Sequence, residues 1–204
     1  MFRFVYAIAP GDPFDAALAA EGFIGVESDR SAADGVAIIG CRGKSAAEGA
    51  HYVVWPAVTG TATVEGVALR AAADQRPETL ILVENGGAYR GALDLWTLLE
   101  AARHPRVKIA VDADRAIADG QRAAVIVPTL NLRIGLVRVR QFDAEAADYA
   151  RRLAGIGFEG FVVIDPPAGA DRQNAARAIA AAFRDVLPSK PVKKAPAKAA
   201  SASA

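Results

Sequence analysis

Eight short apolar runs recur along the chain, and most are continuous rather than alternating in polarity. They are FRFVYAIA (2–9), FIGVES (23–28), GVAIIGC (35–41), HYVVWPA (51–57), TLILVEN (79–85), VKIAVDA (107–113), IGLVRVR (134–140) and GFEGFVVID (157–165). Strands buried on both faces read this way, and such strands belong to parallel sheets covered by helices. Helical stretches lie between several of them, at 13–22, 64–75, 92–104, 118–132, 144–157 and 172–187. Leu95, Leu98, Leu99 and Ala102 recur at helical spacing, and Asp171 stands as N-cap of the last stretch. The alternation predicts an α/β fold, and the strand count predicts closure as a TIM (β/α)8-type barrel. Only DRSAADG separates the second and third runs, and RGKSAAEGA the third and fourth. Neither can hold a crossover helix, which needs about a dozen residues or more. The first half is therefore expected to be trimmed, with short or missing helices after strands 2 and 3.

A hydrophobic fraction of 52% with 23% charged residues supplies one core, expected to span residues 1–187. Residues 188–204 are rich in Pro, Ala, Lys and Ser and predict a disordered tail. Its lysines, Lys190, Lys193, Lys194 and Lys198, are the one feature suited to weak contact with nucleic acid. The formal net charge of +1 gives the chain no general pull toward nucleic acid or an acidic membrane. The opening residues read as a strand and turn rather than a signal peptide. No apolar run reaches the about 18–20 residues that span a bilayer. A single cysteine, Cys41, excludes an internal disulfide framework and fits a reducing compartment. The expected location is the cytoplasm. The sequence leaves the oligomeric state open.

Charged residues cap the predicted strands. Glu27, Glu84, Asp112 and Asp165 each end an apolar run, and Arg138 and Arg140 end the seventh. Residues just after parallel barrel strands gather at the carboxyl-terminal mouth, where barrel enzymes keep their chemistry. Converging carboxylates repel one another and require a balancing cation. The two histidines are poorly placed to hold one: His51 opens a strand and His104 ends a helix. Arg115, Arg138 and Arg140 are the nearby cations. A guanidinium cannot ligate a metal, and it pairs bidentately with a carboxylate or with a ligand phosphate. Trp55, before Pro56 at a strand end, is placed to stack on a ligand; Trp96 has the spacing of a core residue. Gly86, Gly87 and Gly91 follow a strand and precede a helix. They suit either a phosphate cradle or, more simply, a strand-to-helix turn.

At these residues the sequence resembles the sugar phosphate isomerase/epimerase family of xylose isomerase-like TIM barrels. LILVENGGAYRGALDLWTLLEAARHPRVKIAVDADRA is similar to the family's fifth and sixth strands, LNLRIGLVRVRQF to the seventh, LAGIGFEGFVVID to the eighth and EGFIGVE to the second. The resemblance implies a divalent ion, manganese, magnesium or zinc, held by Glu84, Asp112, a strand-seven histidine and a final glutamate. It also implies acid–base work by Glu84 and the residue at 165. The sequence departs from that pattern at four positions. Arg138 stands at the strand-seven histidine, Arg115 at the histidine after the sixth strand, Asp165 at the final glutamate, and Gln141 at an aspartate. A guanidinium beside a dication costs Coulomb energy, so metal binding by Glu84, Asp112 and Asp165 is expected to be weak or lost.

The first reading is therefore a divergent barrel that binds a sugar or phosphorylated ligand without the family's catalysis. Arg115, Arg138, Arg140 and Trp55 would be its contacts, with Glu84 and Asp165 the remnant catalytic pair. A working metal-dependent sugar isomerase or epimerase and a non-enzymatic interaction protein are the alternatives.

Overall fold

The computed structural model describes residues 2–8, 17–28, 37–43, 49–168 and 171–186. Eight parallel strands close into a barrel in sequence order. They are β1 (Arg3–Ala7), β2 (Phe23–Ser28), β3 (Ile38–Arg42), β4 (Tyr52–Trp55), β5 (Leu80–Glu84), β6 (Val107–Asp112), β7 (Ile134–Val139) and β8 (Phe161–Ile164). Closure is made by β1 on β8, with Arg3 opposite Phe161 and Tyr6 opposite Ile164. The helices are α1 (Ala17–Ala20), α2 (Ala62–Asp74), α3 (Ala92–Ala102), α4 (Ala113–Ala118), α5 (Ala123–Leu130), α6 (Ala144–Gly155) and α7 (Arg172–Val186). The fold is the TIM barrel that the alternation predicts. The short segments after β2 and β3 do not prevent closure, because β2 pairs with β3 and β3 with β4 in parallel. The disordered-tail expectation for 188–204 concerns residues outside those described.

Continuous apolar strands fit this architecture because each strand has two buried faces. One face, with Val5, Tyr52, Val54, Leu82, Ala110, Leu136, Phe161 and Val163, fills the barrel interior. The other, with Phe4, Val53, Trp55, Ile81, Val83, Val111 and Val162, meets Leu69, Leu95, Leu98, Tyr149 and Phe183 of the helices. Removing those apolar side chains from water, at roughly 25 cal/mol per Å², is the main force holding helices to barrel. Two caps fix helix starts: Asp143 accepts from the Ala146 N–H at 2.8 Å, and Asp171 accepts from the Asn174 N–H at 3.1 Å.

Three sequence expectations are corrected. The stretch 118–132 is not one helix: α4 starts directly on β6, and α5 begins only at Ala123. Trp96 is not a core residue. It is 36% exposed, and the Arg133 guanidinium lies 3.8 Å from its ring centroid. Trp55 faces the helices, not the mouth, since Val54 takes the interior position next to it.

Candidate functional site at the carboxyl mouth of the barrel

The carboxyl ends of the strands carry a ring of alternating charges. Arg138, 1% exposed, is the largest fully buried side chain among the described residues. Its Nη2 donates to Glu27 Oε1 at 2.5 Å, and its Nη1 lies 3.7 Å from Asp165 Oδ2. The other Glu27 oxygen accepts from the Tyr52 hydroxyl at 3.0 Å. Burial would lower the pKa of Arg138, but the adjacent Glu27, helped by Asp165, outweighs it and raises the value. Burial and the Glu27 charge push the Tyr52 phenol well up, so its proton stays in place as a donor to Glu27. Tyr52 owes its position to Gly40 on β3: a Cβ there would lie 2.0 Å from the Tyr52 ring.

Arg140 grips Asp112 bidentately, with Nη1 to Oδ1 at 2.8 Å and Nη2 to Oδ2 at 2.7 Å. It also reaches Asp114 at 3.0 Å. Asp112 is at the same time the N-cap of α4, accepting from the Arg115 N–H at 3.1 Å. Burial pushes the Asp112 carboxyl up, but the hydrogen bonds from Arg140 and Arg115 and the charges of Arg140 and Arg138 hold it below its ordinary value. Asn85 ties β5 to β6 beside it, receiving the Asp112 N–H at 2.6 Å and donating to the Asp112 carbonyl.

Glu84 is engaged on both oxygens, by Arg42 at 2.6 Å and by Arg115 at 3.1 Å. Asp165 closes the ring, with Arg172 of α7 at 3.3 Å on its Oδ1. Glu27, Glu84, Asp112, Asp114 and Asp165 are thus matched by Arg42, Arg115, Arg138, Arg140 and Arg172. Among the described residues no group of three or more His, Cys, Asp or Glu side chains converges as a metal would require.

Of the residues singled out from sequence, the fold brings together Glu84, Asp112, Arg115, Arg138, Arg140 and Asp165. Trp55 does not join them. His104 lies elsewhere, its Nε2 3.4 Å from Asp74. Sequence reasoning missed Arg42, Tyr52 and Arg172 and named Glu27 only as a strand end. Arg42 ends β3, so the strand-end rule already applied would have found it. Tyr52 begins its strand and Arg172 opens a helix, and neither carries such a signal. The glycine loop after β5 is a turn: Gly87, at φ 59°, passes so close to the Val58 carbonyl that a Cβ would lie 2.5 Å from its oxygen. The Gly91 N–H at the start of α3 is already taken by Asp94 at 3.2 Å.

No family model matches the sequence, and no curated protein does. Solved structures do match. A 3-keto-D-glucoside 4-epimerase from E. coli superposes with a TM-score of 0.69 at 13% identity, covering 91% of this chain and 100% of that one. D-psicose 3-epimerase from Clostridium cellulolyticum H10, solved with D-tagatose, gives 0.67 at 13% identity, covering 92% and 99%. A sugar phosphate isomerase/epimerase from Parabacteroides distasonis gives 0.62 at 13% identity, covering 84% and 87%. At such identities the likeness shows the fold alone: this chain is a TIM barrel of the architecture that these sugar epimerases and isomerases also adopt.

Proposed function

We propose that the protein is a carbohydrate-binding barrel whose mouth holds a sugar or sugar phosphate without metal-dependent isomerase or epimerase chemistry. One observation carries this reading. Arg138, at the position where the resemblance expects a ligating histidine, is buried against Glu27 and Asp165. A divalent cation needs lone pairs aimed at one point. Here both oxygens of Glu84 and both of Asp112 already accept from guanidinium or backbone N–H groups. Arg138 offers donors only. This donor set does not fit the ion, and Glu84 and Asp165 are left without the partner that family acid–base work requires.

Ligand contact falls to the accessible guanidiniums. The side chains of Arg42, Arg115 and Arg140 are 38%, 41% and 33% exposed. They sit at the rim and present N–H groups to hydroxyl or phosphate oxygens. Arg138 acts through Glu27 and Asp165 as a positioning residue, being too buried to touch a ligand. The buried thiol of Cys41, the one cysteine of the sequence, fits a reducing, cytoplasmic setting.

Calorimetry with manganese and zinc, followed by proton NMR of ketoses and ketose phosphates in D2O, tests the proposal. We expect no one-to-one metal binding tighter than about 1 μM. The sugars should broaden on binding, with no exchange at the carbon beside the carbonyl. Tight stoichiometric metal binding that Glu84→Gln abolishes, or deuterium exchange, would overturn it.

A further inference from the structure

The opposite end of the barrel carries a second feature that the mouth does not explain. A cavity of about 460 Å³ opens at the amino-terminal floor, lined by Leu80, Leu132, Ile134 and Phe158 together with Arg3, Lys108 and Glu159. A neighbouring cavity of about 310 Å³ shares Lys108 and Leu132 with it. Lys108 stands one turn of the pleat below Ala110, on the interior face of β6, opposite Leu82. It is the one lysine among the described residues.

The floor is built around this side chain. Gly135 on β7 leaves room for it: a Cβ there would lie 3.1 Å from Lys108 Cβ and 2.6 Å from Leu82 Cδ2. Arg3 is fixed beside it. Its guanidinium donates to the Glu159 carbonyl and lies 4.5 Å from the Phe161 ring centroid. Among the described residues, neither Arg3 nor Lys108 is in an ion pair with a carboxylate; Glu159 acts on Lys108 only from a distance. At the mouth, by contrast, Arg42, Arg115, Arg138, Arg140 and Arg172 each have a carboxylate partner. Burial and the Arg3 charge lower the pKa of Lys108, the mark of a cation lacking its counter-charge.

We infer that the floor cavity is a binding site for a small organic phosphate, its phosphoryl oxygens held between Lys108 and Arg3 and its apolar body against Leu80, Leu132, Ile134 and Phe158. Two cations lining one cavity suit a dianion, and the cavity has the volume of a small-molecule site.

Phenyl phosphate is the probe, with phenol as its neutral counterpart, because neither carries the sugar hydroxyls proposed to be held at the mouth, and the floor substitutions and lysine labelling separate the two sites. Calorimetry on the full chain should show saturable binding of phenyl phosphate and none of phenol. Lys108→Met keeps the apolar stem, and Arg3→Leu removes the second charge. Each should weaken binding about tenfold or more, the loss expected for one charge-assisted contact. A measurement on the unaltered protein locates the site independently. Phenyl phosphate should slow acetylation of the Lys108 amine, read by peptide mass spectrometry, while Lys190 and Lys198 acetylate at an unchanged rate. Unchanged acetylation of Lys108, or binding that survives both substitutions, would overturn the inference and leave the reading of the mouth intact.

Discussion

Glu27→Leu leaves the Arg138 guanidinium buried at 1% exposure with only the 3.7 Å contact to Asp165. Removing one member of a buried ion pair typically costs about 3–5 kcal/mol, because the remaining charge has lost both water and partner. Urea unfolding of Glu27→Leu should show a loss of that order. Glu27→Leu combined with Arg138→Met removes both charges together, and it should recover much of the loss. A double variant as unstable as the single one would mean that packing, and not charge pairing, holds this part of the mouth. Tyr52 limits the recovery, since its hydroxyl loses the carboxylate it donates to. The same residues mark how far the sequence could be read. Arg138 was visible as a cation ending a strand, but its partner on a strand more than a hundred positions away was not.

At the scale of the element, β3 shows how a strand serves the site by what it lacks. Gly40 lies opposite Glu27 on one side and Tyr52 on the other. The Tyr52 ring fills the space over its backbone, with Cε2 2.0 Å from where a Cβ would stand. Gly40→Ala therefore forces the ring to move and draws its hydroxyl away from Glu27. Overpacking of this kind costs about 1–3 kcal/mol. In a Tyr52→Ala background the same substitution should cost far less, and the difference is the coupling a double-mutant cycle measures. Equal costs in both backgrounds would show that the ring yields freely. Elements differ in how legible they were. Strand positions followed from apolar continuity, yet that continuity hid which face each residue takes. In YVVW every side chain is bulky and largely apolar, and only closure of the barrel turns Tyr52 and Val54 inward and Trp55 outward. The short α4 escaped notice because Asp112, read as a strand-end charge, is also the cap on which the helix begins.

For the whole molecule, the barrel acts as a frame that brings charges from distant parts of the chain into one nearly neutral ring. Asp112 couples this ring to pH. Its carboxyl is held below its ordinary value, so the folded protein binds that proton less readily than the unfolded chain does. The stabilisation is complete above the unfolded carboxylate value near 3.9 and disappears as pH falls through the lower folded value. Asp112→Asn separates this contribution from the helix cap. The amide oxygen still accepts from the Arg115 N–H, but it cannot hold Arg140 as an ionised, two-oxygen partner. Unfolding by urea at neutral pH should show the variant less stable by about 1.5–3 kcal/mol, the range for hydrogen bonds to charged groups. Repeated at successively lower pH, the gap between the two proteins should narrow below about pH 4. Protonated Asp112 then resembles the asparagine that replaced it. A gap that stays constant down to the acid limit would mean that Arg140 gains nothing from the charge on Asp112, and the ring would be a matter of shape alone.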